Sequence, residues 1–231
     1  MEINILTWNV RGDSKKTFST GEKIENLGKV LKYWQDIEQP VDVVVLQETA
    51  GTNGELINVL NQFGFNTVNC PENIDGSGRG YTIGVSEVFE MSDIQPVPIE
   101  YEEPANSPTR NYIQFEIKNA AEEICHIITL HGNLGARRLE GLEKLSEFSE
   151  NIFGTGMPVI IAGDFNAGIE ELSERIMVPY GNPINLFPSF DMVSNGWDHI
   201  LVSGLYIDSS FSSEGSPSDH NLLSAQVSME V

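Results

Sequence analysis

Residues 41–48 read Val41-Asp42-Val43-Val44-Val45-Leu46-Gln47-Glu48, an apolar run that stops on a carboxamide and a carboxylate. Its length and its valines predict a continuously buried strand, and Pro40 in front of it stops the element before. That element is a helix predicted from about Gly21 to Ile37, where Ile24, Leu27, Leu31 and Trp34 recur at helical spacing. Upstream of the helix, Ile3 to Trp8 reads as another strand. The chain therefore opens strand, helix, strand.

The alternation continues downstream. A helix near residues 54–63 carries Leu56, Leu60 and Phe63 and ends at Gly64. Strands are predicted at residues 65–68, 81–85, 111–117 and 124–130. Leu139, Leu142, Leu145, Phe148 and Ile152 then mark a third helix, closed by Gly154, and further strands fall at residues 158–162, 199–202 and 222–229. Strands outnumber helices, and helices punctuate them in both halves. The pattern predicts an α/β fold, a four-layer αββα sandwich of two packed β-sheets flanked by helices. A Rossmann reading lacks a GxGxxG turn after the first strand, and no P-loop is present. Without an internal repeat or a low-complexity linker, residues 1–231 read as one domain.

Composition restricts the partners. The 231 residues carry 13 Lys and Arg against 34 Asp and Glu, a formal net charge of −21. Hydrophobic residues make up 40%, enough apolar surface to offset chain entropy despite that charge. Binding polyanions through counterion release normally requires a basic patch. From residue 145 onward, Arg175 faces twelve acidic residues. Phosphate binding then requires a few concentrated arginines or a bound metal ion. No apolar stretch is long enough to span a membrane, and no basic or apolar leader precedes the first strand, so the cytoplasm is the default compartment and a monomer the expected state. Cys70 and Cys125 show no metal-ligand spacing and read as free buried thiols, with one disulfide as the alternative.

Polar groups cluster where the apolar runs stop. Asn9-Val10-Arg11-Gly12 follows the first strand, Glu48 the second, and His131-Gly132-Asn133 the run His126–Leu130. Asp164-Phe165-Asn166 follows Val159–Gly163, Asp198 precedes His199–Gly204, and Ser218-Asp219-His220-Asn221 precedes Leu222–Val227. Gathered at one sheet edge, these groups make one site. Glu48, Asp164, Asp219, Asn9 and Asn166 are hard oxygen ligands suited to Mg²⁺, with Mn²⁺ as the alternative. His131 and His220 lack the thiolate or imidazole company of a zinc site, which points to acid/base chemistry. His126 has the opposite pleat parity to His131, and His199 follows Asp198; both read as structural.

The series TWNVRG, LQET, TLHGN, GDFN, WDHILV and SDHNLL, in that order over residues 7–223, resembles the endonuclease/exonuclease/phosphatase superfamily, in particular its deoxyribonuclease-like members. The resemblance implies that Glu48 binds a divalent metal with Asn9 and Asp219 close by. It implies that His131 and His220 flank the scissile phosphate, one protonating the leaving oxygen and the other activating water. Asp198 would hydrogen-bond His220 and fix its tautomer. Asp164 and Asn166 would contact the phosphate or a second metal and position the nucleophile. Arg110, in Thr109-Arg110-Asn111-Tyr112, matches an arginine that the nucleases use on phosphate, and Asn133 and Arg137 are further phosphate candidates. By the resemblance, histidine at position 131 fits deoxyribonuclease-like and toxin-like members, and many lipid phosphatases and phosphodiesterases, better than abasic-site repair nucleases.

Two departures stand out. An arginine that enters the DNA minor groove in pancreatic deoxyribonuclease is Ala50 here, and the carboxylate that partners the first histidine in that enzyme has no convincing match, Glu72 being a poor candidate. Lys15, Lys16, Lys23, Arg11, Arg110, Arg137 and Arg138 form a candidate positive rim, and Arg11 and Arg79 read equally well as solvated side chains or as phosphate contacts. The expected function is a Mg²⁺-dependent phosphodiester hydrolase, a DNA endonuclease. The alternative substrate is a small phosphate ester such as a nucleotide, sphingolipid or inositol phosphate. A non-enzymatic acidic interaction module is the third reading, and no motif residue is lost to support it.

Overall fold

Alternation of side chains along each strand sorts the apolar residues into three layers. The structure is a computed structural model and describes residues 1–11, 19–72, 79–92, 94–99, 101, 110–134, 137–153, 156–175, 191–213 and 217–229. In chain order the elements are β1 (Glu2–Asn9), α1 (Thr20–Asp36), β2 (Val43–Gln47), α2 (Asn53–Gln62), β3 (Phe65–Cys70), β4 (Tyr81–Ser86), β5 (Glu90–Met91) and β6 (Gln95–Pro98). They continue as β7 (Asn111–Lys118), β8 (Ile124–His131), α3 (Arg137–Phe153), β9 (Val159–Asp164), α4 (Ile169–Arg175), β10 (Asp191–Asn195), β11 (Asp198–Ser203), β12 (Tyr206–Ser213) and β13 (Leu222–Ser228).

One sheet has the order β12-β13-β1-β2-β4-β3, and the other β10-β11-β9-β8-β7-β5, with β6 also on β7. Each sheet contains one parallel pair, β1 with β2 and β8 with β9, and every other pairing is antiparallel. A parallel pair needs a crossover, supplied by α1 in the first case and α3 in the second. The two halves of the chain thus repeat one architectural solution.

Ile3 and Ile5 of β1, Val43 and Val45 of β2, Ile127 of β8, Ile160 of β9 and Ile200 of β11 pack together between the sheets. Their chain neighbours turn the other way. Leu6, Trp8, Val44 and Leu46 meet Leu27, Leu31 and Trp34 of α1 and Leu56 and Leu60 of α2. Ile128, Leu130, Ile161 and Leu201 meet Leu142 and Leu145 of α3 and Leu172 of α4. Three apolar interfaces between four layers make the αββα sandwich. Each fully buried aliphatic side chain contributes about 1.5–3 kcal/mol, so the continuous run at residues 43–46 is anchored from both faces. Ser19 caps α1: its Oγ accepts from the Glu22 N–H at 3.3 Å, and Glu22 Oε2 accepts from the Ser19 N–H at 2.7 Å.

The predicted elements all occur, with boundaries moved by a few residues. Five went unpredicted: β5, β6, α4, β10 and β12. The edge strand β12 is exposed along most of its length and carries no apolar alternation to read. β6 contains Pro96 and Pro98, which demote a strand reading, and is tolerated because it pairs only with β7. Gly154, expected to close α3, and Lys15 and Lys16, expected on a positive rim, lie outside the described residues. Both cysteines are free and buried. Among the described residues no helix is long and apolar enough to cross a membrane.

Candidate active site

The parity that sends Ile5, Val45, Ile127 and Ile160 into the gap between the sheets sends the last residues of the same strands there too. Asn9, His131 and Asp164 end β1, β8 and β9 on the inner face, and Asp198 opens β11 directly opposite Asp164. Asn9 Nδ2 donates to Asp164 Oδ2 at 2.9 Å and to Glu48 Oε1 at 3.2 Å, joining the two sheets at one edge. Below them, Gln47 Nε2 donates to Thr7 Oγ1 at 3.0 Å and to Thr129 Oγ1 at 3.3 Å. This polar floor separates the apolar core from the cluster above it.

Two imidazoles face each other across that cluster. His131 holds Glu72 Oε1 with Nδ1 at 2.6 Å, and its Nε2 lies 3.3 Å from Glu48 Oε1 and 3.6 Å from Asp164 Oδ2. His220 holds Asp198 Oδ2 with Nδ1 at 2.9 Å, and its Nε2 also lies 3.6 Å from Asp164 Oδ2. Each ring is fixed by a carboxylate behind it and aims its other nitrogen at the same oxygen. His131 is further seated by its backbone N–H, which donates to the Tyr81 hydroxyl at 2.8 Å. The loop bearing His220 is tied to β1: Ser218 Oγ donates to the Asn9 carbonyl at 2.7 Å, and Trp8 Nε1 donates to the His220 carbonyl at 3.2 Å.

The backbone here is held in uncommon conformations. Glu48, Asn166 and Arg11 have positive φ of 54°, 52° and 47°, a region that non-glycine residues seldom occupy. Asp164 Oδ1 accepts from the Asn166 N–H at 2.8 Å, while Asn166 Nδ2 donates to the Gly132 carbonyl at 2.8 Å. Close approach demands two glycines: a Cβ on Gly132 would sit 2.2 Å from the Phe165 carbonyl oxygen, and one on Gly163 2.2 Å from that of Leu130.

Charge is concentrated out of water. Glu48, Asp164 and Asp198 are buried together, and Asp198 Oδ1 has no hydrogen-bond partner among the described residues. Burial, aided by the Asp164 charge, pushes the Asp198 carboxyl up to about 6 against the pull of its His220 bond. Burial disfavours charge on His220, but the Asp198 hydrogen bond and the Asp198, Asp164 and Glu48 charges outweigh it and raise its pKa. Glu72 is also buried, yet its bond to His131, the charges of His131 and Arg110, and the Arg79 N–H hold its carboxyl down at about 2.

The model of the endonuclease/exonuclease/phosphatase family matches residues 6–220, which include every residue of this cluster. The chain belongs to that family. It is a hydrolase of the phosphodiesterase/nuclease class. Solved structures of similar fold include a functionally unknown conserved protein from Enterococcus faecalis V583, with a TM-score of 0.75 at 20% identity over 99% of this chain and 100% of that one. An endonuclease/exonuclease/phosphatase family protein from Bacteroides thetaiotaomicron gives 0.74 at 15% identity over 100% and 99%. TDP2 from D. rerio, complexed with a single-strand DNA product, gives 0.70 at 14% identity over 99% of both chains. At such identities these likenesses establish the fold. Comparison with curated proteins found no sequence match.

Family membership implies a divalent metal, and the residues fit one. Glu48, Asp164 and Asp198 supply hard carboxylate oxygens, one of them an unpartnered buried acceptor, and Asp164, Asp198 and His220 offer ligand atoms within 4.8 Å of one another. Glu48 and Asn9 meet as expected, although Asn9 turns its nitrogen toward the carboxylates while its Oδ1 accepts from the Arg11 N–H at 3.0 Å. Asp219 pairs with Arg11 at the rim.

Of the expected phosphate ligands, Arg110 turns inward: it donates to the His131 carbonyl at 3.0 Å and to that of Gly132, and its Nε lies 3.2 Å from Glu72 Oε1. Asn133 donates to the Tyr101 hydroxyl, and the Arg137 guanidinium lies 4.4 Å over the Tyr101 ring, so these two share one aromatic support. Arg138 pairs with Glu171 of α4. Two readings from the sequence need correction. Glu72, judged a poor candidate, is the carboxylate behind His131; it lies in an irregular segment after β3, where spacing carries no signal. Lys23 is not on an exposed rim: it is buried, and its Nζ donates to the Arg11 carbonyl at 2.6 Å. His126 faces Glu116 on the outer side of its sheet, and His199 Nε2 is bonded to the Ala167 carbonyl at 2.7 Å.

Proposed function

We infer that the protein is a Mg²⁺-dependent phosphodiesterase that cleaves DNA as an endonuclease, with Mn²⁺ able to replace Mg²⁺. The observation that carries this reading is the pair of carboxylate-backed imidazoles, each with Nε2 at 3.6 Å from Asp164 Oδ2. In-line displacement at phosphorus needs a proton removed on one side and supplied on the other, and two opposed imidazoles provide both. His220, whose affinity for the proton is raised by its Asp198 bond and the nearby carboxylates, gives its Nε2 proton to the leaving oxygen. His131, steadied through Nδ1 by Glu72, takes the proton of the attacking water at Nε2. Asp164 and Asn166 hold that water between the rings. Glu48, with Asn9 and Asp219 nearby, would hold the metal, which supplies Lewis-acid neutralisation of charge developing on the phosphate. Arg110 keeps the His131 turn in place, and Asn133 and Arg137 flank the substrate phosphates.

The reading of DNA as substrate draws support from the DNA product bound to the TDP2 of similar fold. The net charge of −21 and Ala50 favour a second reading, the same chemistry on a small phosphate ester. Assay of plasmid DNA, single-stranded oligonucleotides, nucleotides and inositol phosphates with Mg²⁺ decides between them. Nicking of plasmid that stops with chelator, returns with Mg²⁺ and falls steeply as salt is raised supports the endonuclease. Turnover confined to small esters, with little response to salt, selects the second reading. No turnover of any of these phosphate esters overturns both.

A further inference from the structure

Arg79 lies between the two halves of the site. Its backbone N–H donates to Glu72 Oε2 at 2.6 Å, and its guanidinium rests on Glu48 Oε2. Its main chain is fastened: the Arg79 carbonyl accepts from the Ala50 N–H at 2.5 Å, and the Gly80 carbonyl from the Thr49 N–H at 3.2 Å. The side chain is 44% exposed, whereas its Glu48 partner is 7% exposed. A rigidly mounted arginine thus lays a half-exposed head over a buried carboxylate. Among the described residues, the Asn9 amide and His131 Nε2 also touch Glu48. The guanidinium is the permanent positive charge that compensates Glu48 in this state.

A divalent cation bound by Glu48 competes for the same oxygen and repels the guanidinium at short range. The head is already half-exposed, so once displaced it can meet a substrate phosphate that enters from solvent. A planar guanidinium suits two phosphate oxygens at once. Arg110 and Arg138 are committed elsewhere, Arg110 to two carbonyls and Glu72 and Arg138 to Glu171.

Building on the reading of Glu48 as a metal ligand, we propose that Arg79 is an exchangeable clasp. It covers Glu48 while the metal is absent and moves to the substrate's phosphodiester when the metal takes Glu48. Metal and phosphodiester then bind with positive coupling, because each relieves a cost of the other: the metal frees the arginine, and the phosphate gives it a new partner. By linkage the coupling is reciprocal, so it can be read from metal affinity alone. In a molecule with 34 acidic residues, this keeps a cation at the mouth without leaving it unpaired in either state.

The test is a Mn²⁺ titration followed by electron paramagnetic resonance, with and without phosphorothioate-linked dithymidine, on the whole protein and its R79Q, R79K and E48Q variants. Wild type should bind Mn²⁺ about tenfold more tightly with the dinucleotide present. R79Q should bind Mn²⁺ about tenfold more tightly than wild type without the dinucleotide and gain less than about twofold from adding it. R79K, which keeps the charge without the planar fork, should fall between; circular dichroism confirms that each variant is folded. Unchanged or weaker Mn²⁺ binding by R79Q, or wild-type coupling in R79Q, overturns the clasp while leaving the metal assignment intact. Wild-type Mn²⁺ affinity in E48Q overturns the metal assignment and the clasp together.

Discussion

Glu72 and His131 are 59 positions apart in the chain, and Oε1 of the first lies 2.6 Å from Nδ1 of the second, both buried. The bond fixes which imidazole nitrogen carries the proton and leaves Nε2 for chemistry. Glu72→Gln keeps an acceptor but removes the charge that stabilises an imidazolium. It should lower kcat about 10²-fold with little change in KM. Steady-state kinetics on the DNA substrate with Mg²⁺ checks this, and a wild-type kcat contradicts the assigned role.

The two histidines act on opposite sides of one displacement. His131→Ala and His220→Ala should each reduce kcat by about 10²-fold or more. Combined, they should cost far less than the product of the single losses, since one broken proton path already removes most of the benefit of the other. Multiplicative effects in a plasmid-nicking assay would show that the two rings work independently.

Gly132→Ala places a methyl carbon 2.2 Å from the Phe165 carbonyl oxygen, a backbone atom that cannot step aside without moving the turn after β9. The Asn166 Nδ2 to Gly132 carbonyl bond and the Gly132 N–H to Asp164 carbonyl bond at 2.6 Å lie on that same contact. Overpacking of this kind should cost about 3 kcal/mol and also depress activity. Urea denaturation provides the number; wild-type stability would mean that the two segments can separate freely.

Asp42 gives a pH-dependent stability. Burial pushes its carboxyl up from 3.8 to about 6, against the Asn4 N–H that donates to Oδ2 at 2.8 Å, and the Glu2 charge adds to the rise. The folded state therefore binds the proton more tightly than the unfolded chain. Its stabilising contribution is complete below about pH 4 and is lost as pH rises through about 6, at most about 3 kcal/mol. Asp42→Asn keeps an acceptor for the Asn4 N–H and removes the buried charge. It should raise Tm relative to wild type at pH 8, and the gain should shrink toward pH 4. An equal shift at both pH values removes this account.

Much of the site was legible because strand parity and strand ends are local properties. Val43–Leu46 announces a strand buried on both faces, and two-residue alternation then fixes that Asn9, His131 and Asp164 share a face with Ile5, Ile127 and Ile160. The six motifs, one at each strand edge, carry the family resemblance on their own. What had no local signature was partner choice. Glu72 reaches His131 from an irregular segment, Arg79 covers Glu48, Arg11 takes Asp219, and Lys23 is drawn inside to the Arg11 carbonyl. Sequence by itself determined which residues arrive at the edge of the two sheets, because pleat and apolar periodicity depend on neighbours in the chain. Tertiary structure alone decided which charge each of them meets there, because that depends on the reach of side chains from separate loops and on the need to compensate carboxylates held out of water.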